Sequence, residues 1–150
     1  MKTKLADEYL QVDQIAWEIF EPDFQTGGVQ WKLLHVSPEL GSWTVMFHCP
    51  TGSTFAPHVH HGPAEGYIFK GEIEIRGGER AGGATARTDG YLYEAAGAIH
   101  DRTTMTRETD FLLQMVGPVG WKLADGTQRP QGWAEAQQLW NEQKSKREAT

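Results

Sequence analysis

Short apolar segments, each ended by Gly, Pro, Asp or Ser, follow one another from Gln14 to about Val116. In residues 43–49 the odd-numbered positions are the more apolar, as expected for a strand that buries one face. This pattern predicts an all-β fold built from many short strands. The predicted strands cover residues 16–20, 29–36, 43–49, 55–60, 66–70, 72–76, 90–94, 99–104 and 109–116.

The C-terminal part of the chain has a different pattern. Trp133, Ala136, Gln137 and Trp140 recur at the spacing of one helix face. We therefore predict one C-terminal helix over about residues 132–148, packed through its two tryptophans on the barrel or on a partner subunit.

Length and composition indicate a single compact domain over residues 1–150. The 14 Lys and Arg residues against 20 Asp and Glu residues give a formal net charge of −6 without a basic cluster, so nucleic acid and membrane are not expected partners. The one cysteine, Cys49, cannot form an internal disulfide and is interpreted as a core thiol. A polar N-terminus, and no apolar run of about eighteen residues, predict a soluble cytoplasmic protein.

Two histidines separated by one residue, His58 and His60, are candidate ligands for a metal ion. Alternate side chains of an extended strand share a face, so both imidazoles project the same way. His100 follows in a segment typical of strand, turn and strand. Three convergent imidazoles make a metal site, and the sequence therefore predicts one at these residues.

The other histidines are given structural roles. A lone histidine on an apolar face is usually a core residue with its hydrogen bonds satisfied, and His35 and His48 are interpreted in this way. His61 is expected to face away from its two neighbours.

The first histidine pair resembles the first motif of the cupin superfamily, GxxxxxHxH, which a glutamate and then a glycine follow. Gly52, His58 and His60 match its spacing. The family often uses the glutamate as a fourth ligand, and Glu65 stands at an allowed distance. Only five residues separate Glu65 from Gly71, however, where six are usual. The ligand set is therefore three histidines with water, or three histidines with Glu65.

The second cupin motif has a glycine, a PxG turn, a histidine and an asparagine. Here Ala95 stands where Pro is usual and Thr104 where Asn is usual. These two differences affect the stiffness of the turn and not the metal chemistry. The resemblance covers about residues 40–118 and implies a double-stranded β-helix, the jelly-roll barrel, with the metal inside. The residues that fill the second motif are Gly90, Gly97 and His100.

The ligand types restrict the metal and the chemistry. Imidazoles suit Fe, Zn, Ni and Cu, and no thiolate set is present that would favour structural zinc. Mn is kept as a further alternative. Three protein ligands leave open positions on the metal. We expect aromatic side chains to line the barrel around it, which suits a small apolar chelating molecule and dioxygen; they are Phe55, Tyr67, Phe69 and Phe111.

Within the cupins the chain most resembles the small dioxygenases that cleave β-diketones such as acetylacetone, and the related 2,4'-dihydroxyacetophenone dioxygenases. The resemblance implies an Fe(II) enzyme that cleaves a C–C bond of a diketone or hydroxyketone with dioxygen. The diketone-cleaving group has an arginine and a glutamate where this chain has Arg76 and Glu94. Arg76 would supply positive charge to a bound enolate, and Glu94 would orient a histidine ligand or a water, or pair with Arg76.

Other interpretations of these residues remain open. Arg76 and Glu94 can equally be surface residues, and Thr103 and Thr104 can line the cavity or simply satisfy strand propensity. One alternative function is a non-catalytic metal-binding or ligand-sensing cupin, of the kind attached to anti-sigma factors. Another is a different metal-dependent cupin enzyme, such as an isomerase, a lyase or a quercetinase-like dioxygenase. A homo-oligomer, dimer or tetramer, is expected because cupins commonly pair through sheet edges or termini.

Overall fold

A computed structural model describes residues 6–150, in which antiparallel strands are followed by one C-terminal helix, α1 (Trp133–Glu148). The predicted all-β class with a C-terminal helix is confirmed. The strands are β1 (Glu18–Ile19), β2 (Gln25–Thr26), β3 (Gln30–Ser37), β4 (Ser42–Cys49), β5 (Thr54–Phe55), β6 (His58–His60), β7 (Ala64–Lys70), β8 (Glu72–Ile75), β9 (Ala84–Arg87), β10 (Tyr91–Glu94), β11 (Ile99–His100), β12 (Thr103–Met105), β13 (Thr109–Val116), β14 (Val119–Lys122) and β15 (Gln128–Gln131).

The strands form three sheets that surround one core. The six-stranded sheet has the order β1-β3-β4-β13-β7-β10. The four-stranded sheet has the order β11-β6-β14-β15, and the five-stranded sheet has the order β2-β5-β12-β8-β9. Strands β6 and β11 lie side by side in the four-stranded sheet, which brings two distant parts of the chain together.

Alternation of buried and outward positions explains why the long strands form. In β13 the odd-numbered residues, Thr109, Phe111, Leu113 and Met115, are buried, and the even-numbered ones face outward. This period of two turns one face of the strand toward the aromatic core. Phe47 of β4 packs against Phe111 with ring centroids 5.2 Å apart, so the same side chains hold the sheet and fill its interior.

Helix α1 packs on the six-stranded sheet as predicted. Trp140 is buried and lies edge-on to Trp31 of β3, with ring centroids 5.5 Å apart. The side chain of Gln143 accepts a hydrogen bond of 2.9 Å from the indole N–H of Trp31. At the start of the helix the Glu135 carboxylate accepts a 3.0 Å bond from the N–H of Gly132. None of the helices in residues 6–150 is long and apolar enough to cross a bilayer.

The strand prediction differs from the structure in its missing and interrupted elements. Strands β2, β9, β14 and β15 were not predicted, because segments of only two to four residues are too short to give a clear local pattern. The predicted strand 55–60 is interrupted before His58, and the predicted strand 99–104 is divided into β11 and β12. Sheet partners stabilise such short pieces where local pattern does not.

Two of the structural roles given to single residues are corrected. His35 is an exposed residue whose Nδ1 lies 3.3 Å from a Glu8 carboxylate oxygen. His48 is half-buried on the outward phase of β4 and contacts Asp110 of β13 at 2.5 Å. Cys49 is fully buried as predicted, and burial raises the pKa of its thiol far above the usual range.

Candidate metal centre

The three histidines predicted to bind a metal converge inside the protein. His58 and His60 are the first and last residues of β6 and are buried, whereas Val59 between them faces the other way. His100 of β11 pairs directly with His58 across the sheet and is also buried. One nitrogen of each imidazole lies within 4.8 Å of the other two. Strand parity and one cross-strand pair therefore create the cluster.

The hydrogen bonding of His58 leaves one ring nitrogen free to bind a metal. Its Nδ1 lies 2.7 Å from the carbonyl oxygen of Ala56, which only accepts, so Nδ1 carries the proton. The other nitrogen, Nε2, lies 3.2 Å from Nδ1 of His100. Two nitrogens on one ion with bonds of about 2.1 Å are separated by about 3 Å. The spacing of this pair fits a shared metal ion.

Glu94 is the carboxylate beside the cluster. One oxygen lies 2.8 Å from Nε2 of His60 and 3.8 Å from Nδ1 of His100. The Nδ1 of His60 is buried and has no hydrogen-bond partner within residues 6–150. A buried imidazole with one nitrogen held by a carboxylate and the other unpartnered has the arrangement of a metal ligand. The chemistry of these donors fits a divalent metal.

Burial sets the protonation of the site. It lowers the pKa of His58 to about 3, against the opposing effect of its bond to Ala56, and it lowers the pKa of His100 as well. Both rings are therefore neutral near pH 7, which is the form that binds metal. Burial alone would raise the pKa of Glu94, but the hydrogen bond from His60 and the neighbouring histidines bring it below the ordinary value. Glu94 is therefore anionic.

Of the two predicted ligand sets, the one that includes Glu65 as a fourth ligand is wrong. In β7 the residues Ala64, Gly66 and Ile68 are buried, so Glu65 between them faces outward and is exposed. Its carboxylate accepts a 2.9 Å hydrogen bond from the hydroxyl of Tyr91 on the outer surface. The carboxylate that reaches the histidines is that of Glu94, so of the two candidates only Glu94 can serve the site.

An apolar cavity of about 450 Å³ opens at the histidines. Phe55 and Phe111 line it as predicted, but Tyr67 and Phe69 do not, because both face outward from β7 and are 40% and 46% exposed. The edge strands β9 and β10 also contribute to its wall. The other buried aromatic side chains in the lining are Phe20, Trp43, Phe47 and Trp121.

Arg76 lies at the cavity wall directly after β8, as an exposed residue with a left-handed backbone, φ 52°. Its N–H donates a 2.6 Å bond to the carbonyl of Arg102, which holds this uncommon conformation. No carboxylate of residues 6–150 lies within 4.0 Å of its guanidinium, so the alternative in which it pairs with Glu94 is not observed. Its charge is available to a molecule in the cavity.

Two buried residues of the cavity were not among the predicted site residues. Thr103 is buried in the wall, and its hydroxyl has no partner within residues 6–150. Its position three residues after His100 was a signal that strand propensity equally explained. Trp121 packs against His58 with ring centroids 4.6 Å apart. No local signal marked it, because β14 was not predicted.

The chain is similar over most of its length to one curated protein and to solved structures. The acetylacetone-cleaving enzyme of Acinetobacter johnsonii is 42% identical over 140 residues, 93% of this chain and 92% of that enzyme. The crystal structure of an acetylacetone dioxygenase from the same organism has a TM-score of 0.88 at 41% identity, covering 95% of this chain and 97% of that one. A Methylibium petroleiphilum protein with the proposed activity of an acetylacetone dioxygenase has a TM-score of 0.87 at 48% identity, covering 93% and 98%.

The family assignment rests on most of the chain. A model of the ChrR cupin-like domain matches residues 5–120, which include all three histidines and both sheet edges of the cavity. The cupin motifs implied antiparallel sheets around a metal site, and the structure has such sheets around the three buried histidines. The chain belongs to the cupin superfamily, in the family of ChrR cupin-like domains.

Proposed function

We propose that the protein is a mononuclear non-haem iron dioxygenase that cleaves a C–C bond in a small diketone or hydroxyketone. The observation that carries the proposal is the cluster of three buried histidines at an apolar cavity. The similarity to the acetylacetone-cleaving enzyme supports the same reaction class.

The side chains of the cavity have distinct tasks in this proposal. His58, His60 and His100 hold the metal, and Glu94 orients His60 through the 2.8 Å contact. Fe(II), when bound, supplies Lewis-acid and redox chemistry between a chelating enolate and dioxygen. Arg76 offers its positive charge to an anionic enolate. The aromatic walls exclude water from the chelate.

Iron is the metal that we propose for the site. Dioxygen chemistry needs a redox-active ion, which excludes zinc but not Ni, Mn or Cu. We propose Fe(II) among these because the resemblance to the diketone-cleaving dioxygenases implies it. Metal analysis of the purified protein would establish which ion it retains.

Oxygen uptake tests the proposal directly. Apo-protein reconstituted anaerobically with Fe(II) is offered a panel of β-diketones and 2-hydroxyacetophenones, and oxygen consumption is followed beside substrate loss. We expect uptake stoichiometric with substrate loss, and none with the zinc-loaded protein. Metal binding without uptake across the panel would contradict the dioxygenase.

That negative result would favour a second candidate, a non-catalytic metal-binding or ligand-sensing cupin. The matched family is defined by a cupin-like domain and not by a reaction, and it is this match that keeps the second candidate open. An isomerase or a lyase that accepts a compound of the panel would consume it without consuming oxygen, so the same assay separates such an enzyme from both candidates.

We also propose a cytoplasmic location and a homo-oligomeric state, dimer or tetramer. Exposed aromatic side chains along β7 and the edge strand β10 offer one surface for self-association, namely Tyr67, Phe69, Tyr91 and Tyr93. Light scattering on the purified protein measures the assembly, and fractionation of the native cells measures the location.

A further inference from the structure

A row of four side chains crosses the four-stranded sheet at the metal centre. His100 of β11 pairs with His58 of β6, His58 pairs with Trp121 of β14, and Trp121 pairs with Arg129 of β15. Directly opposed residues of antiparallel strands place their side chains on the same face. Two of the proposed ligands, His58 and His100, therefore have their side chains on the same face of the sheet as Trp121, which lies on a strand that the sequence did not predict.

Trp121 is packed between His58 and a second aromatic ring. The His58 and Trp121 rings have centroids 4.6 Å apart, and Trp121 stacks on Phe24 at 4.7 Å with an interplanar angle of 10°. The guanidinium of Arg129 lies over the Phe24 ring, 4.4 Å from its centroid. Trp121 and Phe24 are both buried, so no solvent separates their rings.

A hydrogen bond fixes the rotation of the indole. The N–H of Trp121 donates a 3.0 Å bond to the side-chain oxygen of Gln131, and both residues are buried. A buried indole whose N–H is satisfied and whose face is stacked has little freedom to turn. Trp121 is thus a rigid wall beside the imidazole.

His58 needs such a wall more than His60 does. His60 is held by the Glu94 carboxylate, but within residues 6–150 no carboxylate lies within 4.0 Å of His58. Apart from the contact between Nε2 and His100, the bond from Nδ1 to the Ala56 carbonyl is the one hydrogen bond of the His58 side chain within residues 6–150, and the ring can tilt about it. The indole face removes that freedom, because a tilt would drive the imidazole into Trp121.

We propose that Trp121 is a positioning residue that fixes the ring plane of the metal ligand His58, with Phe24 and Gln131 as its supports. The inference rests on the proposed metal site and adds a role that the site's own polar residues do not fill. Trp121 acts through packing and not through charge, so it affects the direction in which the Nε2 lone pair of His58 points. Loss of the wall should weaken metal binding and alter the coordination geometry.

Cobalt(II) binding to the apo-protein tests the inference. Its visible d–d bands report coordination geometry, and a titration gives the dissociation constant. We expect Trp121→Leu to weaken Co²⁺ binding by on the order of tenfold and to shift the bands. Trp121→Phe, which keeps an aromatic face against His58, should recover both readouts. Trp133→Leu is the matched control, since Trp133 lies on α1 outside the cavity, and should leave both unchanged.

A folded Trp121→Leu protein with the parent's dissociation constant and spectrum would overturn the inference. If that variant does not fold, Phe24→Leu decides, because it removes the support of Trp121 without touching His58: weaker binding supports the inference, and unchanged binding overturns it. Failure of the parent protein to bind Co²⁺ would overturn the metal site itself and the inference with it. Parent-like binding by the variants overturns the inference alone.

Discussion

At the scale of single residues, Glu65 and Glu94 lie on neighbouring strands, and their positions along the two strands differ by one residue pair. Strands β7 and β10 pair Ala64 with Glu94 and Glu65 with Tyr93. Neighbouring positions of a strand point to opposite faces, so one glutamate reaches the histidines and the other reaches the surface. Motif spacing alone could not decide between them, because it does not fix the residue at which β7 begins.

Glu94→Gln keeps the size of this side chain and removes its charge. We expect metal affinity or turnover to fall by on the order of tenfold or more, because His60 loses its charged partner. Glu65→Gln is the matched control on the outer face and should leave both at the parent level. Metal titration and oxygen uptake measure the two effects. Equal loss in both variants would contradict the assignment of Glu94.

His100→Ala removes one of the three imidazoles and leaves the surrounding strands in place. We expect the variant to lose its metal on desalting and to lose turnover, while circular dichroism still reports the β-sheet fold, because three ligands hold the ion much more tightly than two. His61→Ala substitutes an exposed histidine next to the cluster and should retain the metal. Full metal retention by His100→Ala would remove His100 from the ligand set.

At the scale of elements, Trp140 joins helix α1 to the barrel. Truncation of a buried tryptophan typically costs about 3–5 kcal/mol, and Trp140 is buried against Trp31. We expect Trp140→Ala to lower the free energy of unfolding by about 3 kcal/mol in urea melts, with the affinity for metal unchanged in the folded variant. Gln138→Ala on the exposed side of the same helix should have a small effect.

The elements that the sequence predicted are those in which local pattern and tertiary burial agree. Helix α1 and the long strands β4 and β13 carry their own periodicity, and the HxH motif identified two of the three candidate ligands by parity alone. Strand β15 is polar and contains a proline, and it forms because it pairs with β14. Trp121 was missed for that reason, since its position depends on a pairing that no local pattern contains.

At the scale of the whole molecule, the net charge of −6 repels an anionic enolate. Arg76 offsets this repulsion locally, because its positive charge lies at the cavity. Removing the charge of Arg76 should therefore raise the KM for the substrate more than it lowers kcat at low ionic strength. We expect Arg76→Gln to behave in this way in steady-state kinetics at two salt concentrations. Arg80→Gln, an exposed arginine that does not line the cavity, is the control and should behave as the parent.

The buried histidines also make the stability of the apo-protein depend on pH. The pKa values of His58 and His100 are lowered in the folded state, whereas an unfolded chain protonates its histidines at about pH 6.5. As the pH falls below that value the unfolded state takes up protons first, so the free energy of unfolding decreases; above it, these groups contribute no slope. For His58 alone the loss between pH 7.5 and pH 5 is about 2 kcal/mol.

Glu94 acts in the same direction at lower pH. Its pKa is below the ordinary value in the folded protein, so its stabilising contribution is lost as the pH falls through that lowered value. We expect urea melts of the apo-protein to show stability that is flat from pH 7 to 8 and declines below about pH 6.5. His58→Asn, which removes the buried ionisable ring, should have a shallower decline, because its unfolded state no longer gains that proton relative to the folded state. A parent and variant with the same slope would show that His58 titrates normally and that its burial does not keep it neutral.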